Sequence, residues 1–545
     1  MLYLLTFLVI SRSANIVHRY TTYLEILNKN TLVVTVCLAV FCFEYCKNFN
    51  QTFLYICVWL CVYLEIRVMD KPCFKPVLLG ITLLAIACMT VIALYGIVFD
   101  AGSTHTSLFL YQWPGNKENN TGIVSQKLTC DVKGDGISSY VTNPPDAGQS
   151  LKECIDVAMT AIPPSQLSTT PVYLGATAGM RLLMLENQTQ AERILAEVTK
   201  AIQSYPFDFR GARILTGMEE GAYGWITINY LLEGFIKSGK IQGALDLGGA
   251  SAQISFTPKD PVKDPGSAFD LQLYGYRYQL YTYSYLCYGK DQALKMLQRL
   301  ESKGDKDGRS AARPSSVVQH PCYHRNYSLT LKLGELYNSP CVVKPLPFDP
   351  ALKVTFLGTG DSQLCLSLMK SIINLTDCSF YPDCGFNGVY QPPVNGEFFA
   401  FSAYFYTFNF LGLAPRTPLP RVLATIESYC NKTWDTVSHQ YPKVKETYLR
   451  DYCGSAHYIM TILLKGFKFN DSWDQIYFYK QVRDNDIGWT LGYMLNLTNL
   501  ISSDRPLVIT GVQHSQWAAE VFFIVFVLFL SILILIVLCA WGPKH

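Results

Sequence analysis

Hydrophobic positions follow two rhythms in this chain: long uninterrupted runs toward its ends, and short strand-length or helix-length periods between them. Val521–Leu538 is apolar without a charge, flanked by Trp517 and Trp541 and closed by Lys544. A span needs roughly 20 apolar residues with interfacial aromatics outside it, which predicts a transmembrane helix over 518–540. Val77–Leu94 is a second such run; Lys71 and Lys75 before it favour a cytoplasmic start for a helix over 77–94. Residues 1–76 are an atypical extension. Their apolar pieces, Thr31–Phe43 and Thr52–Leu64, are short, broken by Glu44 and Lys47 and rich in cysteine. An extra membrane hairpin, an uncleaved signal-like region and a mistaken gene model all fit, and the last is preferred.

Between the long runs the periods shorten. Ser107–Trp113 alternates as a strand and stops at Pro114-Gly115; Gln149–Ile162 has helical spacing and stops at Pro163-Pro164. Strands are predicted at Tyr95–Phe99, Pro171–Thr177, Ala212–Thr216 and within the tyrosine-rich Leu271–Leu286. Helices are predicted at Ala178–Leu185, Ala222–Leu232, Val444–Phe467 and Trp489–Leu500, with an exposed loop at Glu301–Arg313. The aromatic stretch Phe398–Phe408 has spacings that suit a core helix.

Two of these strands end alike. Tyr95–Phe99 runs into Asp100-Ala101-Gly102-Ser103-Thr104, and Gly243–Leu245 into Asp246-Leu247-Gly248-Gly249-Ala250-Ser251. Glycine permits positive φ and close approach of backbone to a ligand. Successive N–H groups in such turns can hold phosphate oxygens, and Ser103 and Ser251 add hydroxyl donors. An Asp at the strand end faces the same cleft and can hold a hydrated divalent cation. One Asp-x-Gly turn is an ordinary hairpin feature; the same chemistry twice points to loops that clamp a polyphosphate from both sides.

A chain of 545 residues can bury one or two full cores, and its 50% hydrophobic content fits a globular body plus membrane segments. A net charge of +3 is too small to argue for a nucleic-acid partner. Cys130, Cys154, Cys287, Cys322, Cys341, Cys365, Cys378, Cys384, Cys430 and Cys453 lie between the predicted spans. Asn-x-Ser/Thr sequons stand there at Asn119, Asn187, Asn326, Asn374, Asn431, Asn470 and Asn496, with Asn50 upstream. Together they suggest an oxidising, glycosylating compartment. Asn496 falls in a stretch expected to be packed.

Five segments carry a resemblance: Asp100-Ala-Gly-Ser-Thr-His-Thr-Ser, Leu174-Gly-Ala-Thr-Ala-Gly-Met-Arg181, Gly217-Met-Glu-Glu-Gly-Ala-Tyr-Gly-Trp225, Ala244-Leu-Asp-Leu-Gly-Gly-Ala-Ser-Ala-Gln253 and Gly488-Trp-Thr-Leu-Gly-Tyr-Met-Leu-Asn-Leu-Thr498. They look like the five apyrase conserved regions, in order. From about Tyr95 to its end the chain resembles the membrane-bound ecto-nucleoside triphosphate diphosphohydrolases. The resemblance implies an α/β fold of two RNase-H-like lobes of the actin and sugar-kinase class, with transmembrane helices at both ends. The first lobe would be 95–216 plus 481–501, the second 217–480. It further implies a multi-pass protein of the plasma membrane, in contact with membrane lipid, whose extracellular body converts nucleoside tri- and diphosphates to monophosphates and phosphate. Relatives often form homo-oligomers through their transmembrane helices.

By the same resemblance, Asp100 and Asp246 would hold Ca²⁺ or Mg²⁺ through water. Ser103, Thr104, His105, Gly248, Gly249, Ala250, Ser251 and Gln253 would bind phosphate. Glu220 would be the general base, the Glu219 position being variable, and Thr177 would contact the attacking water or the terminal phosphate. Arg181 is left between pairing with phosphate and an internal salt bridge. Tyr406, Ser402 and Lys290 would meet the base. The implied disulfides are Cys130 with Cys154, Cys287 with Cys341, Cys322 with Cys365, Cys378 with Cys384, and Cys430 with Cys453. The chain departs from the pattern in a short Leu232–Gly243 stretch, in Ala252 for a usual Thr, in Tyr448 where some relatives have arginine, and in the missing polar linker before Tyr95. A catalytically silent nucleotide-binding surface protein and a phosphotransferase of the same fold are the alternative functions.

Overall fold

The computed structural model describes residues 93–114, 124–235, 240–302, 317–345, 348–375, 378, 382–470 and 472–497. The extension 1–76 and the spans predicted at 77–94 and 518–540 lie outside these residues, apart from Ala93 and Leu94. Among the described residues no helix is long and apolar enough to cross a membrane. Ala93 and Leu94 belong not to a helix but to the first strand, β1 (Ala93–Ala101), where they pair with Pro114 and Trp113.

The first sheet is built from β1, β2 (Thr106–Pro114), β3 (Ser125–Asp131), β4 (Pro171–Ala176) and β5 (Asp208–Ile214) in the order β3-β2-β1-β4-β5. β1 runs antiparallel to β2 and parallel to β4. Its Ile97, Val98 and Phe99 are buried on both faces, as a continuous apolar run at the centre of a covered sheet requires. Helix α1 (Ala178–Glu186) follows β4. Helix α2 (Gln188–Gln203) buries Ala191, Ile194, Val198 and Ile202, one stripe at helical spacing, and is capped by Asn187, whose side chain accepts from the Gln190 N–H. Cores form on both faces of the sheet.

After β5 comes helix α3 (Gly217–Leu231), five residues earlier than the predicted start at Ala222. Thr216 explains the difference: its hydroxyl accepts from the Glu219 N–H while the Glu219 carboxylate accepts from the Thr216 N–H, a capping box that starts the helix at Gly217. The second sheet comprises β6 (Gly243–Leu247), β7 (Ser251–Phe256), β8 (Ala268–Leu273), β9 (Tyr276–Leu286) and, beyond a small separate sheet of β10 (Val317–His320), β11 (Ser328–Lys332) and β12 (Lys353–Gly358), also β13 (Phe398–Ser402) and β14 (Ile476–Phe478). Its order, β14-β13-β6-β7-β9-β8, repeats the first sheet: β9-β7-β6-β13-β14 corresponds to β3-β2-β1-β4-β5, including the antiparallel turn after the central strand and the parallel strand beside it. Helix α4 (Lys290–Ser302) covers this sheet with α5 (Ala403–Phe410) and α6 (Glu446–Thr461). Helix α7 (Trp489–Leu497) packs with α3 between the sheets, in a core of Val98, Trp113, Trp225, Phe401 and Met494.

Three expectations are corrected. Phe398–Phe408 is a strand followed by a helix, because Phe398–Ser402 pairs in parallel with β6 and Phe398–Ala400 with β14. Glu301 and Ser302, read as loop, close α4; residues 303–313 of that loop lie outside the described residues. Asn496 is exposed on the last turn of α7, where its amide donates to the Tyr223 hydroxyl at 3.4 Å. The five cysteine pairs are those the resemblance implied.

Candidate active site

The two glycine loops join the central strand of each sheet to its antiparallel neighbour, and they touch. A Cβ added to Gly249 would lie 2.7 Å from Ser103 Oγ and 2.8 Å from Thr104 Cγ2. The first loop is held from behind: the Thr177 N–H donates to Ala101 O at 3.0 Å and the Gly136 N–H to Thr104 O at 3.1 Å. A Cβ on Gly136 would stand 2.6 Å from Gly102 O, and one on Gly179 2.7 Å from Ser103 Cα, so neither position admits a side chain without moving the loop. Thr177 caps α1, its carbonyl accepting from the Met180 and Arg181 N–H groups. His105 is exposed, its Nδ1 3.1 Å from Thr104 Oγ1.

The adjacent acids at the start of α3 have separate tasks. Glu219 is spent on the cap and on two hydrogen bonds from Arg213, at 3.0 and 2.9 Å. Glu220, 6% exposed, faces inward between the loops. Its Oε2 accepts from Arg181 at 2.7 Å and from Gln253 Nε2 at 3.1 Å. Arg181 also donates to Ser251 Oγ at 3.1 Å and to Leu215 O at 3.1 Å, so the internal salt bridge with Glu220 is present. Gln253 Nε2 additionally reaches Ser251 Oγ at 2.6 Å and Ser284 Oγ at 2.9 Å. Helix α3 can lie this close because Gly217 faces Ser284 of β9 and Gly221 faces buried hydroxyls of β7 and β9: a Cβ on Gly221 would meet Thr282 Oγ1 at 2.5 Å and Ser255 Oγ at 2.6 Å.

Three carboxylates converge here. Asp100 is held well above the usual carboxylate range, first by burial, then by Glu220 and Asp246, with the Trp489 side chain hydrogen-bonding to it and working the other way. Burial and Glu220 push Asp246 up to about 7, opposed by the Ser402 side chain and the Leu247 backbone. Asp246 and Gln253 are cross-strand partners, and Asp246 Oδ1 and Gln253 Oε1 are both buried with no hydrogen-bond partner among the described residues. Buried oxygens without donors beside clustered carboxylates are the donor set of a hard, hydrated divalent cation; Asp100, Asp246 and Gln253 fit Ca²⁺ or Mg²⁺.

The residues assigned to the base are more scattered. Tyr406 is 52% exposed on α5. Ser402 lies at the end of β13 with φ 54°, in the left-handed region, with its side chain hydrogen-bonded to Asp246. The Lys290 ammonium is 2.5 Å from Asp291, and the Lys290 backbone N–H donates to Gly248 O at 2.8 Å, so the residue's backbone supports the second loop. Sequence reasoning missed Trp489, Ser284 and Gly289 at this site. The Gly488-Trp489 motif was a usable signal for the first; the other two are brought in by long-range pairing alone.

A model of the GDA1/CD39 (nucleoside phosphatase) family matches residues 91–510. Ectonucleoside triphosphate diphosphohydrolase 8 of Gallus gallus is 48% identical over 462 residues, covering 83% of this chain and 92% of that protein. Ectonucleoside triphosphate diphosphohydrolase 2 of Mus musculus is 45% identical over 445 residues, covering 78% of this chain and 86% of that one. Among solved structures, a nucleoside triphosphate hydrolase of Neospora caninum shares the fold, with a TM-score of 0.53 at 15% identity over 79% of this chain and 98% of that chain. With an α/β fold shared with nucleotide phosphatases and a family match that spans every described element, this chain belongs to the GDA1/CD39 (nucleoside phosphatase) family.

Proposed function

We propose that this chain is a cell-surface enzyme that hydrolyses extracellular nucleoside tri- and diphosphates to monophosphates and phosphate, dependent on Ca²⁺ or Mg²⁺. One observation carries the reading: Asp100, Asp246 and Glu220 converge on two touching glycine loops, with Arg181 bonded to Glu220. The loop segments Ser103–His105 and Gly248–Ser251 bind phosphoryl oxygens through N–H and hydroxyl groups. Asp100 and Asp246 hold the water shell of the cation, which when bound neutralises charge on the transferring phosphoryl group. Glu220 orients a water and takes its proton as the water oxygen bonds to the terminal phosphorus; the bridging P–O bond breaks and its electrons leave with the nucleotide. Gln253 and Ser251 hold Glu220 and Arg181 in register, and Thr177 lies at the α1 end of the same cleft. No phosphoenzyme is required.

In this reading the lobes are 95–216 plus 481–501 and 217–480, tethered by one helix that ends before β1, within 77–92, and one at 518–540, with the body outside the cell and glycosylated. Tyr406 stacks on the base. The names of the two diphosphohydrolase relatives and the five disulfides support an extracellular nucleotidase. The test is phosphate release from ATP and ADP by the purified chain: a phosphotransferase would need an acceptor and a silent binding protein would release none.

A further inference from the structure

We propose that the turn Cys287–Gln292, closed by Ser339 and the Cys287–Cys341 disulfide, is a brace that aims the N–H groups of the second phosphate loop, with Gly289, Gln292 and Ser339 as positioning residues. The inference rests on the hydrolase reading above and adds residues to it.

Three successive carbonyls of the loop, those of Gly248, Gly249 and Ala250, are taken from one side. Gly248 O accepts from the Lys290 N–H at 2.8 Å, Gly249 O from the Asp291 and Gln292 N–H groups at 2.9 and 3.1 Å, and Ala250 O from the Cys287 N–H at 2.8 Å. In a planar trans peptide the C=O of one residue and the N–H of the next point in opposite directions. Three carbonyls turned toward Cys287–Gln292 therefore turn the N–H groups of Gly249, Ala250 and Ser251 the other way. Gly249 has Ser103 and Thr104 of the first loop beside it, together with the Asp291 carboxylate of the turn. Electrostatic stabilisation of a transferring phosphoryl group needs donors fixed before the reaction, and this turn fixes them.

The contact is too close for any side chain at Gly289: a Cβ there would overlap Ala250 N, Gly249 C and Ser251 N, all backbone atoms of the loop. The brace then closes on itself. Gln292 Oε1 accepts from Ser339 Oγ at 2.7 Å, Ser339 Oγ accepts from the Cys341 N–H at 3.1 Å, and Cys341 is bonded to Cys287. Ser339 is 3% exposed, so water does not replace it. Cys287 has φ 76°, a left-handed conformation that a non-glycine residue keeps only where its surroundings impose it. Cys287 and Cys341 pack with Ala250 against Ala178 and Leu182 of α1, the helix capped by Thr177, so the brace bears on both halves of the site.

The experiment compares the full chain with its Ser339→Ala, Ser339→Thr, Gln292→Ala and Gly289→Ala variants in ATP hydrolysis with Ca²⁺, alongside their melting temperatures. An unmodified chain that releases no phosphate refutes the hydrolase reading itself; the brace is judged against an active parent. Preorganised donors act in the transition state, so kcat should fall about 10-fold in Ser339→Ala and Gln292→Ala and at least ~100-fold in Gly289→Ala, with KM within about threefold. Ser339→Thr, which keeps the hydroxyl, should recover most of the loss. Should Gly289→Ala fail to fold, the two milder variants decide. Folded Ser339→Ala and Gln292→Ala with kcat within twofold of the parent, or a Ser339→Ala loss that Ser339→Thr does not recover, would overturn the proposal.

Discussion

Replacing Gly221 by alanine isolates the position of Glu220 from its chemistry. The added methyl would stand 2.5 Å from Thr282 Oγ1 and 2.6 Å from Ser255 Oγ, where ordinary contact begins at 3.4 Å. Both hydroxyls are fully buried and bonded to each other at 2.7 Å, so they have nowhere to swing. The first turn of α3 must therefore lift by about 0.9 Å, and Glu220 is the next residue; a misplacement near 1 Å costs on the order of 10²-fold in rate. That corresponds to about 2.7 kcal/mol in the barrier. Stability should change far less, because alanine regains about 1 kcal/mol of helix propensity against an overpacking cost of ~1–3 kcal/mol. Steady-state phosphate release should show kcat reduced about 100-fold, KM within about threefold and a melting temperature only a few degrees lower. Adding Ser255→Ala and Thr282→Ala makes room for the methyl and should restore about tenfold of the lost kcat. A folded Gly221→Ala enzyme with kcat within threefold of the parent would refute the argument.

Other expectations follow from the same contacts. Arg181 is 14% and Glu220 7% exposed in their ion pair, so Arg181→Met strands a buried carboxylate; thermal unfolding in chelator should show a loss of about 3 kcal/mol. Burial lowers His457 to about 4, and the Ser362 hydroxyl lies 2.9 Å from its Nε2. The unfolded chain takes up this proton near pH 6.5 and the folded one only near 4, so the contribution is full above about 6.5 and is lost as pH falls from there to about 4. It amounts to roughly 3 kcal/mol, and His457→Gln should flatten that part of the melting-temperature profile. Chelation of divalent cations should abolish phosphate release, with restoration by either Ca²⁺ or Mg²⁺. Gly249→Ala should push the loops apart at Ser103 and reduce kcat/KM at least ~10-fold in the same assay.

Much of the site is legible in the sequence because its central pieces are local. A strand, an aspartate and a glycine turn occupy a few consecutive residues, and their repetition marks both loops around Asp100 and Asp246. Helices with a one-sided stripe are legible for the same reason, as at Cys154, Ile155 and Ala158 within Gln149–Ile162. What periodicity does not carry is choice among equivalent local solutions. Phe398–Phe408 is aromatic along its whole length, so nothing in its spacing separates a strand between two parallel partners from a helix. Glu219 and Glu220 look alike until the cap at Thr216 consumes one. Trp489 beside Asp100, Ser284 beside Gln253 and Gly289 under Ala250 are juxtapositions made by the sheets across long sequence separations.

The most direct measurement is phosphate release from ATP and from ADP by intact cells expressing the chain, with Ca²⁺ or with chelator, beside a Glu220→Gln variant at equal surface expression. The proposed function predicts cation-dependent release of phosphate from both nucleotides and its loss, by about 10²-fold or more, in the variant. Release that persists at the parent rate in Glu220→Gln, or none from a chain displayed at the surface, would contradict the account.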